Sequence, residues 1–299
     1  MKILLWHVHG AWTTSFVQGR HEYVVPCTPD RGADGVGIAR TYDWPDTVSE
    51  IPLDEVGEHD FDAIVYQRPH ELELRPPRGE QLIYVEHNAP QGRINELRHP
   101  MADRDDLTLV HVTHFNALFW DAGATPTTVI EHGIVDPGAR YTGELDRAAV
   151  VINEAKRRGR VTGTDLLPRF ERAAPIDLFG IGANDLPHAR LHAEMARRRV
   201  YLHPIRWTSL GLSLLEAMHL AMPVVVLGTT EAFEAVPQAA GAVSTRLDVL
   251  EATLARLVAD PDEARERGQA ARAAALSRYG LQRFLDDWDE VLAAVEVAS

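Results

Sequence analysis

The chain has 299 residues, enough for two domains of ordinary size, and its 45% hydrophobic and 25% charged residues are the balance of a protein that buries a real core. A formal net charge of −14 disfavours a general nucleic-acid binder and weakens electrostatic docking on anionic lipid, while leaving room for a local basic pocket. The single cysteine, Cys27, excludes an internal disulfide and a cysteine-based metal centre. A short N-terminal apolar run, with no stretch of the ~18–20 apolar residues a membrane span needs, predicts a cytoplasmic protein.

In chain order, Ile3 to Val8 read as a buried strand ended by Gly10, and Trp12 to Gln18 as a helix. Alternation along that strand puts His7 and His9 on one face, but no third ligand is in register, so no metal site is expected. Tyr23 to Val25 form a second strand. Residues Cys27 to Trp44 are rich in Gly, Asp and Arg and read as a mobile loop, because the RGADGVG segment neither follows the first strand nor opens a helix. Asp62 to Tyr66, Leu82 to Val85, Leu107 to Val112 and Thr127 to Ile130 are further short strands, with a helix at Asn116 to Asp121. Continuous apolar strands alternating with helices predict parallel sheets covered on both faces.

Residues Asp136 to Ala148 are polar and turn-rich and read as a linker. Val150 to Ile152 restart the pattern. A basic loop with Lys156, Arg157, Arg158 and Arg160 follows, and in so acidic a chain such a cluster near a strand end suits an anion better than plain solvent exposure. Next come a helix from Asp165 to Ala174, the strand Ile176 to Phe179 ending in Gly180 and Gly182, and a helix around Leu191 to Arg197. Ala242 to Ser244 read as an edge strand, and helices are expected over Val249–Val258, Pro261–Ser277 and Leu281–Val297.

The densest signal is the segment from Tyr201 to Gly228: strand, polar turn, helix from about Leu210 to Leu220, then the buried strand Pro223 to Leu227. Thr208 or Ser209 would cap the helix, and Gly211 would let another group approach its first-turn amides, where the helix dipole favours an anion. The helix is apolar on nearly every face yet carries Glu216. A lone buried carboxylate costs several kcal/mol or more, so Glu216 needs either a nearby Arg or backbone amide, or an opening onto a ligand site.

Thr208, Ser209, Leu210, Gly211, Leu212, then Glu216, Ala217, Met218, then Pro223, Val224, Val225 resemble the segment E-G-F-G-L-x-x-x-E-A-M-A-x-G-x-P-V-V of the retaining glycosyltransferases of family 4, with Thr208 in place of the first glutamate. Gly163, Asp165 and Leu166 match that family's donor-diphosphate loop, His87 in YVEHNAP resembles its H-E-P histidine, and Gly10 its first-strand turn.

The resemblance implies a GT-B fold: two Rossmann-like domains, 1–140 and 141–278, facing each other across a cleft, with a final helix, 279–299, returning to the N-terminal domain. It implies transfer of a hexose from a nucleotide diphosphate sugar to an acceptor hydroxyl with retention, needing no metal or cofactor. His87, Arg158 and Arg160 would act at the reacting donor, with Arg157 behind them. Gly163, Gly180, Thr208, Ser209, Leu210, Gly211, Leu212 and Glu216 would bind the donor, Glu216 through its ribose. His9, Gly10 and Trp12 would face the acceptor. With Thr208 neutral, a non-catalytic nucleotide-sugar-binding or regulatory protein, or a nucleotide-sugar epimerase of the same fold, are the alternatives.

Overall fold

The structure, a computed structural model, describes residues 1–293. It divides into two units, each built on its own parallel sheet.

Unit 1 takes in Met1–Val135. Its elements are β1 (Lys2–Leu5), α1 (Gly10–Phe16), β2 (Glu22–Cys27), β3 (Val48–Pro52), β4 (Ala63–Tyr66), α2 (Glu71–Leu74), β5 (Gln81–Glu86), β6 (Thr108–His111), α3 (His114–Phe119) and β7 (Thr127–Val129). All seven strands are parallel, in the order β3-β2-β1-β4-β5-β6-β7. The order reverses between β1 and β4.

Unit 2 takes in Asp136–Gly280. It contains β8 (Leu145–Val151), α4 (Ala155–Arg158), α5 (Leu167–Phe170), β9 (Ile176–Phe179), α6 (His188–Arg197), β10 (Arg198–His203), α7 (Leu212–His219), β11 (Val224–Leu227), α8 (Ala232–Ala235), β12 (Gly241–Ser244), α9 (Leu247–Ala259) and α10 (Pro261–Arg278). Its five strands are also parallel, in the order β12-β11-β10-β8-β9, which reverses between β8 and β10. Every residue of β4 and β11 is buried, as strands covered on both faces require. In unit 2 the strand residues Val150, Leu202 and Val225 pack in one core with Leu250, Leu254 and Leu257 of α9.

The last described helix, α11 (Leu281–Ala293), belongs to unit 1. Phe284, Trp288 and Leu292 stand at four-residue spacing and are buried. Burying each contributes roughly 1.5–3 kcal/mol. Trp288 meets Trp12 and Phe16 of α1 at ring separations of 5.8 and 4.8 Å. Arg283 ties the helix down by donating to the carbonyls of Glu131 and His132 at 2.9 and 2.6 Å. The part of the expected last helix beyond Ala293 lies outside the described residues.

Several boundaries differ from the sequence reading. β1 ends at Leu5, so His7 and His9 lie in a loop and strand alternation does not govern them. Gly10 opens α1 rather than merely ending the strand. The edge strand β3 was not expected; its Glu50 pairs with Arg31 and receives the Ile38 amide, which anchors the 27–44 loop read as mobile. β8 starts at Leu145, inside the stretch read as linker, where Arg147 gains Asp177 of β9 as a partner.

Gly133 marks where unit 1 receives α11: a Cβ there would run into Cβ and the ring of Phe284. Gly133→Val should therefore lower stability by about 1–3 kcal/mol through overpacking, read as a lower urea midpoint by far-UV circular dichroism. An unchanged midpoint would mean that α11 is not seated on this turn.

Candidate functional site

In doubly wound parallel sheets, ligands bind beyond the carboxyl ends of the strands, where the strand order reverses. In unit 2 that place lies between the loops that follow β8 and β10. The first is the basic loop and the second the turn His203 to Gly211. They are laced together. The Arg206 and Trp207 amides both donate to the Val161 carbonyl, at 2.9 and 3.1 Å. The Arg206 guanidinium donates to the Arg160 carbonyl at 2.8 Å and holds Asp165 in a bidentate pair at 2.5 and 2.9 Å. Gly163 has φ of +71° and lies so close to the Pro204 carbonyl that a side chain would collide with it. This is why glycine stands there.

The loop's cations are partly committed. Arg157 pairs with Glu154, and Arg160, largely exposed, lies 3.3 Å from Asp165. Arg158 is half-buried at the end of α4. Thr162 is fully buried and bonded to the Gly159 carbonyl and to Thr164. Gly180, with φ of +112°, closes β9 against the Ile152 carbonyl and the Asn153 side chain.

After β10, the helix α7 begins at Leu212 rather than Leu210. Its N-cap is Gly211, so neither Thr208 nor Ser209 caps it by a side chain, as the sequence reading had it. The His203 ring lies against Gly211, in the space a Cβ would need. Ser209 and Leu210 are buried and Thr208 is half-buried. Tyr201, on β10, donates to Ser213 at 2.8 Å and fixes the first turn of α7 to the sheet.

Glu216 is buried, and its partners are two histidines of α6 rather than an arginine or a backbone amide. Nε2 of His188 lies 3.0 Å from Oε1 and Nε2 of His192 3.4 Å from Oε2. Burial works to raise the Glu216 pKa, but the contacts from His188 and His192 outweigh it and bring it down to about 2. These histidines were missed because the α6 helix was expected to start near Leu191. The usable signal was Pro187 followed by histidines at i and i+4, a helix start with two like side chains on one face.

In unit 1 the reversal lies between β1 and β4, and the loops after them are joined by Gln67, which donates to the Trp6 carbonyl at 2.6 Å. Glu71 is buried and holds the same loop, accepting from the Gln67 amide and from Arg68 at 2.6 Å each. Glu71 and Arg68 are thus committed to the fold of their own loop. His9 and His87 stand together, ring centroids 4.2 Å apart, with Trp12 edge-on to His87 at 4.9 Å. Trp12, expected on the acceptor side, is a core residue stacked on Phe16. A Cβ on Gly10 would press on the Tyr42 ring.

Burial keeps these imidazoles neutral. It lowers His9 to about 4, aided by Arg68 and opposed by Glu86. It lowers His87 well below the usual range, with His9 and His132 adding repulsion, and His132 to about 3, with His9 and Arg283 adding to the effect. His132 was not singled out from the sequence. Among the described residues neither of its ring nitrogens has a hydrogen-bond partner.

No protein-family model and no curated protein sequence matches the chain. Solved structures do. Sucrose-phosphate synthase from Thermosynechococcus elongatus is 13% identical over 100% of both chains, with a TM-score of 0.72. HepE from Anabaena, in complex with UDP and glucose, is 13% identical over 98% of this chain and 100% of its own, with a TM-score of 0.70. A glycosyltransferase from Rickettsia africae is 12% identical over 100% and 99%, with a TM-score of 0.65. With its two parallel sheets, the chain has the GT-B fold of glycosyltransferases.

Two measurements probe these loops. Gly163→Ala forces a left-handed backbone and a clash with Pro204, so stability should drop by about 1–3 kcal/mol; an unchanged urea midpoint would show that the loops after β8 and β10 are not locked together. The second concerns pH. A histidine neutral in the fold, with a pKa near 3, binds its proton only in the unfolded chain between its ordinary value near 6.5 and that lower value. Stability then falls as pH drops below about 6.5, by about 2 kcal/mol for His132 alone at pH 5. His132→Gln should flatten the pH dependence of the thermal midpoint between pH 7 and 5, and an equally steep curve would refute the assignment.

Proposed function

We propose that this chain is a glycosyltransferase that moves a hexose from a nucleotide diphosphate sugar to an acceptor hydroxyl with retention of configuration. The carrying observation is Glu216: a buried, charged carboxylate on the helix that follows Gly211, beyond the carboxyl end of β10 where the unit 2 strand order reverses. A ribose offers the hydroxyl donors such an acceptor suits. HepE, of the same fold, is described in complex with UDP and glucose, which favours a uridine nucleotide as the first to try.

In this reading the leaving diphosphate meets Arg158 and Arg160 and the first-turn amides of α7, which lack a side-chain cap. Gly163, Gly180, Thr208, Ser209, Leu210 and Leu212 shape the donor loops. His87 and His9, neutral by burial, exchange hydrogen bonds with sugar hydroxyls instead of neutralising phosphate. No metal or other cofactor takes part in the transfer, and the protein works in the cytoplasm. Among the described residues no helix is long and apolar enough to cross a membrane.

One observation favours a second reading, a non-catalytic nucleotide-sugar-binding protein: Thr208 supplies no charge where the resembled family has its first glutamate, and Glu216 already has two imidazole partners.

The experiment is a thermal shift with UDP, GDP, ADP and their sugars in the presence of EDTA. A nucleotide at a hundredfold excess over its Kd stabilises by about 2.7 kcal/mol, and Glu216→Gln should remove that shift while keeping the far-UV spectrum. No shift with any nucleotide, or an undiminished one in Glu216→Gln, rejects the assignment. Release of nucleotide only when an acceptor is present separates transferase from binder.

A further inference from the structure

Helix α6 opens with His188 and repeats the residue one turn later at His192, so both imidazoles leave the same face. That face meets Glu216 of α7. Nε2 of His188 stands 3.0 Å from one carboxylate oxygen and Nε2 of His192 3.4 Å from the other, the rings 4.0 Å apart. The three ligand atoms lie within 4.8 Å of one another. His192 is only 4% exposed, and its Nε2 contact with Glu216 lacks hydrogen-bond geometry. One imidazole thus hydrogen-bonds the carboxylate, while the other faces it at ion-pair distance only.

Two imidazoles and a carboxylate that converge in this way can also surround a common ion. Zinc binds nitrogen and oxygen at about 2.0–2.2 Å, and a tetrahedral geometry then sets neighbouring ligand atoms roughly 3.3–3.5 Å apart. We propose that His188, His192 and Glu216 form a site for a divalent transition-metal ion of the zinc class. Two imidazoles and one carboxylate suit zinc, cobalt or nickel, whereas magnesium and calcium seek all-oxygen shells. Three protein ligands leave a position for water. The His188 side chain is 26% exposed and gives the ion its entry path. All three residues lie in unit 2, and the proposal stands whether or not a nucleotide binds there.

The test is calorimetric titration of the EDTA-stripped full chain with zinc chloride, without nucleotide. One equivalent should bind at micromolar affinity or tighter, and magnesium chloride should give no saturable heat. His188→Ala, at the half-exposed position, should weaken that equivalent at least tenfold while keeping the far-UV spectrum; His114→Ala, an exposed histidine of unit 1, should leave it unchanged. Glu216→Gln, of the same shape, serves as a second variant should His188→Ala misfold, and should weaken binding equally. No saturable zinc binding, or zinc binding that a folded His188→Ala or Glu216→Gln leaves at wild-type strength, overturns the proposal.

Discussion

A carboxylate in a protein interior must be compensated, and unit 2 is arranged around that requirement at Glu216. Its immediate neighbours in the helix, Leu214, Leu215, Ala217 and Met218, are fully buried and apolar, and the nearest polar ones, Ser213 and His219, are bonded to Tyr201 and to the Leu215 carbonyl. Compensation therefore comes from outside the helix, from His188 and His192, and this fixes how α6 lies on α7. It also explains why the first turn of α7 is stitched to the sheet through Tyr201 and Ser213. Were α7 to rotate, the carboxylate would leave its imidazoles and enter an apolar core. The position of Gly211, pressed against His203, follows from the same seating.

The two strand-order reversals carry different chemistry. In unit 2 the loops beyond β8 and β10 hold arginines and a charged carboxylate, groups that recognise phosphate and paired hydroxyls. In unit 1, His9 follows β1 at the reversal and meets His87, which follows β5 one strand beyond β4, and burial keeps both uncharged. Neutral imidazoles in an apolar setting beside Trp12 contribute directional hydrogen bonds without adding charge. The buried carboxylates of unit 1, Glu71 and Glu86, are spent on internal bonds: Glu71 on Arg68, Glu86 on His99.

How far this was legible from residues alone follows from the range of the forces involved. Buried strands such as Val224–Leu227 announce themselves because every side chain is apolar, and parallel sheets follow. Glu216 stood out as one charge in an apolar helix, and the need for a partner was plain. The partner's identity was not, because His188 precedes it by 28 residues and no local periodicity links two helices. Edge strand β3 escaped for a related reason: Val48 and Ile51 break the alternation, and its hold depends on Arg31 reaching Glu50. Trp12 was placed toward a ligand because its neighbours are His9 and Gly10, yet its burial depends on Trp288, 276 positions away. Ser209 is not the cap because α7 starts at Leu212 and its N-cap is Gly211, where the close approach of His203 demands a residue without a side chain.

Glu216 can serve a ribose or an ion, and the protonation of the two imidazoles separates these states. A carboxylate has about four lone-pair positions, so His188 donating through Nε2–H to Oε1 still leaves room for hydroxyl donors at Oε2. An ion instead requires Nε2 of both histidines to present a lone pair, with the ring protons carried on Nδ1. The same three side chains thus accept a sugar in one tautomer and a cation in the other, without any change of backbone. Since an ion occupies the carboxylate that the nucleotide would use, the two ligands exclude each other at this point.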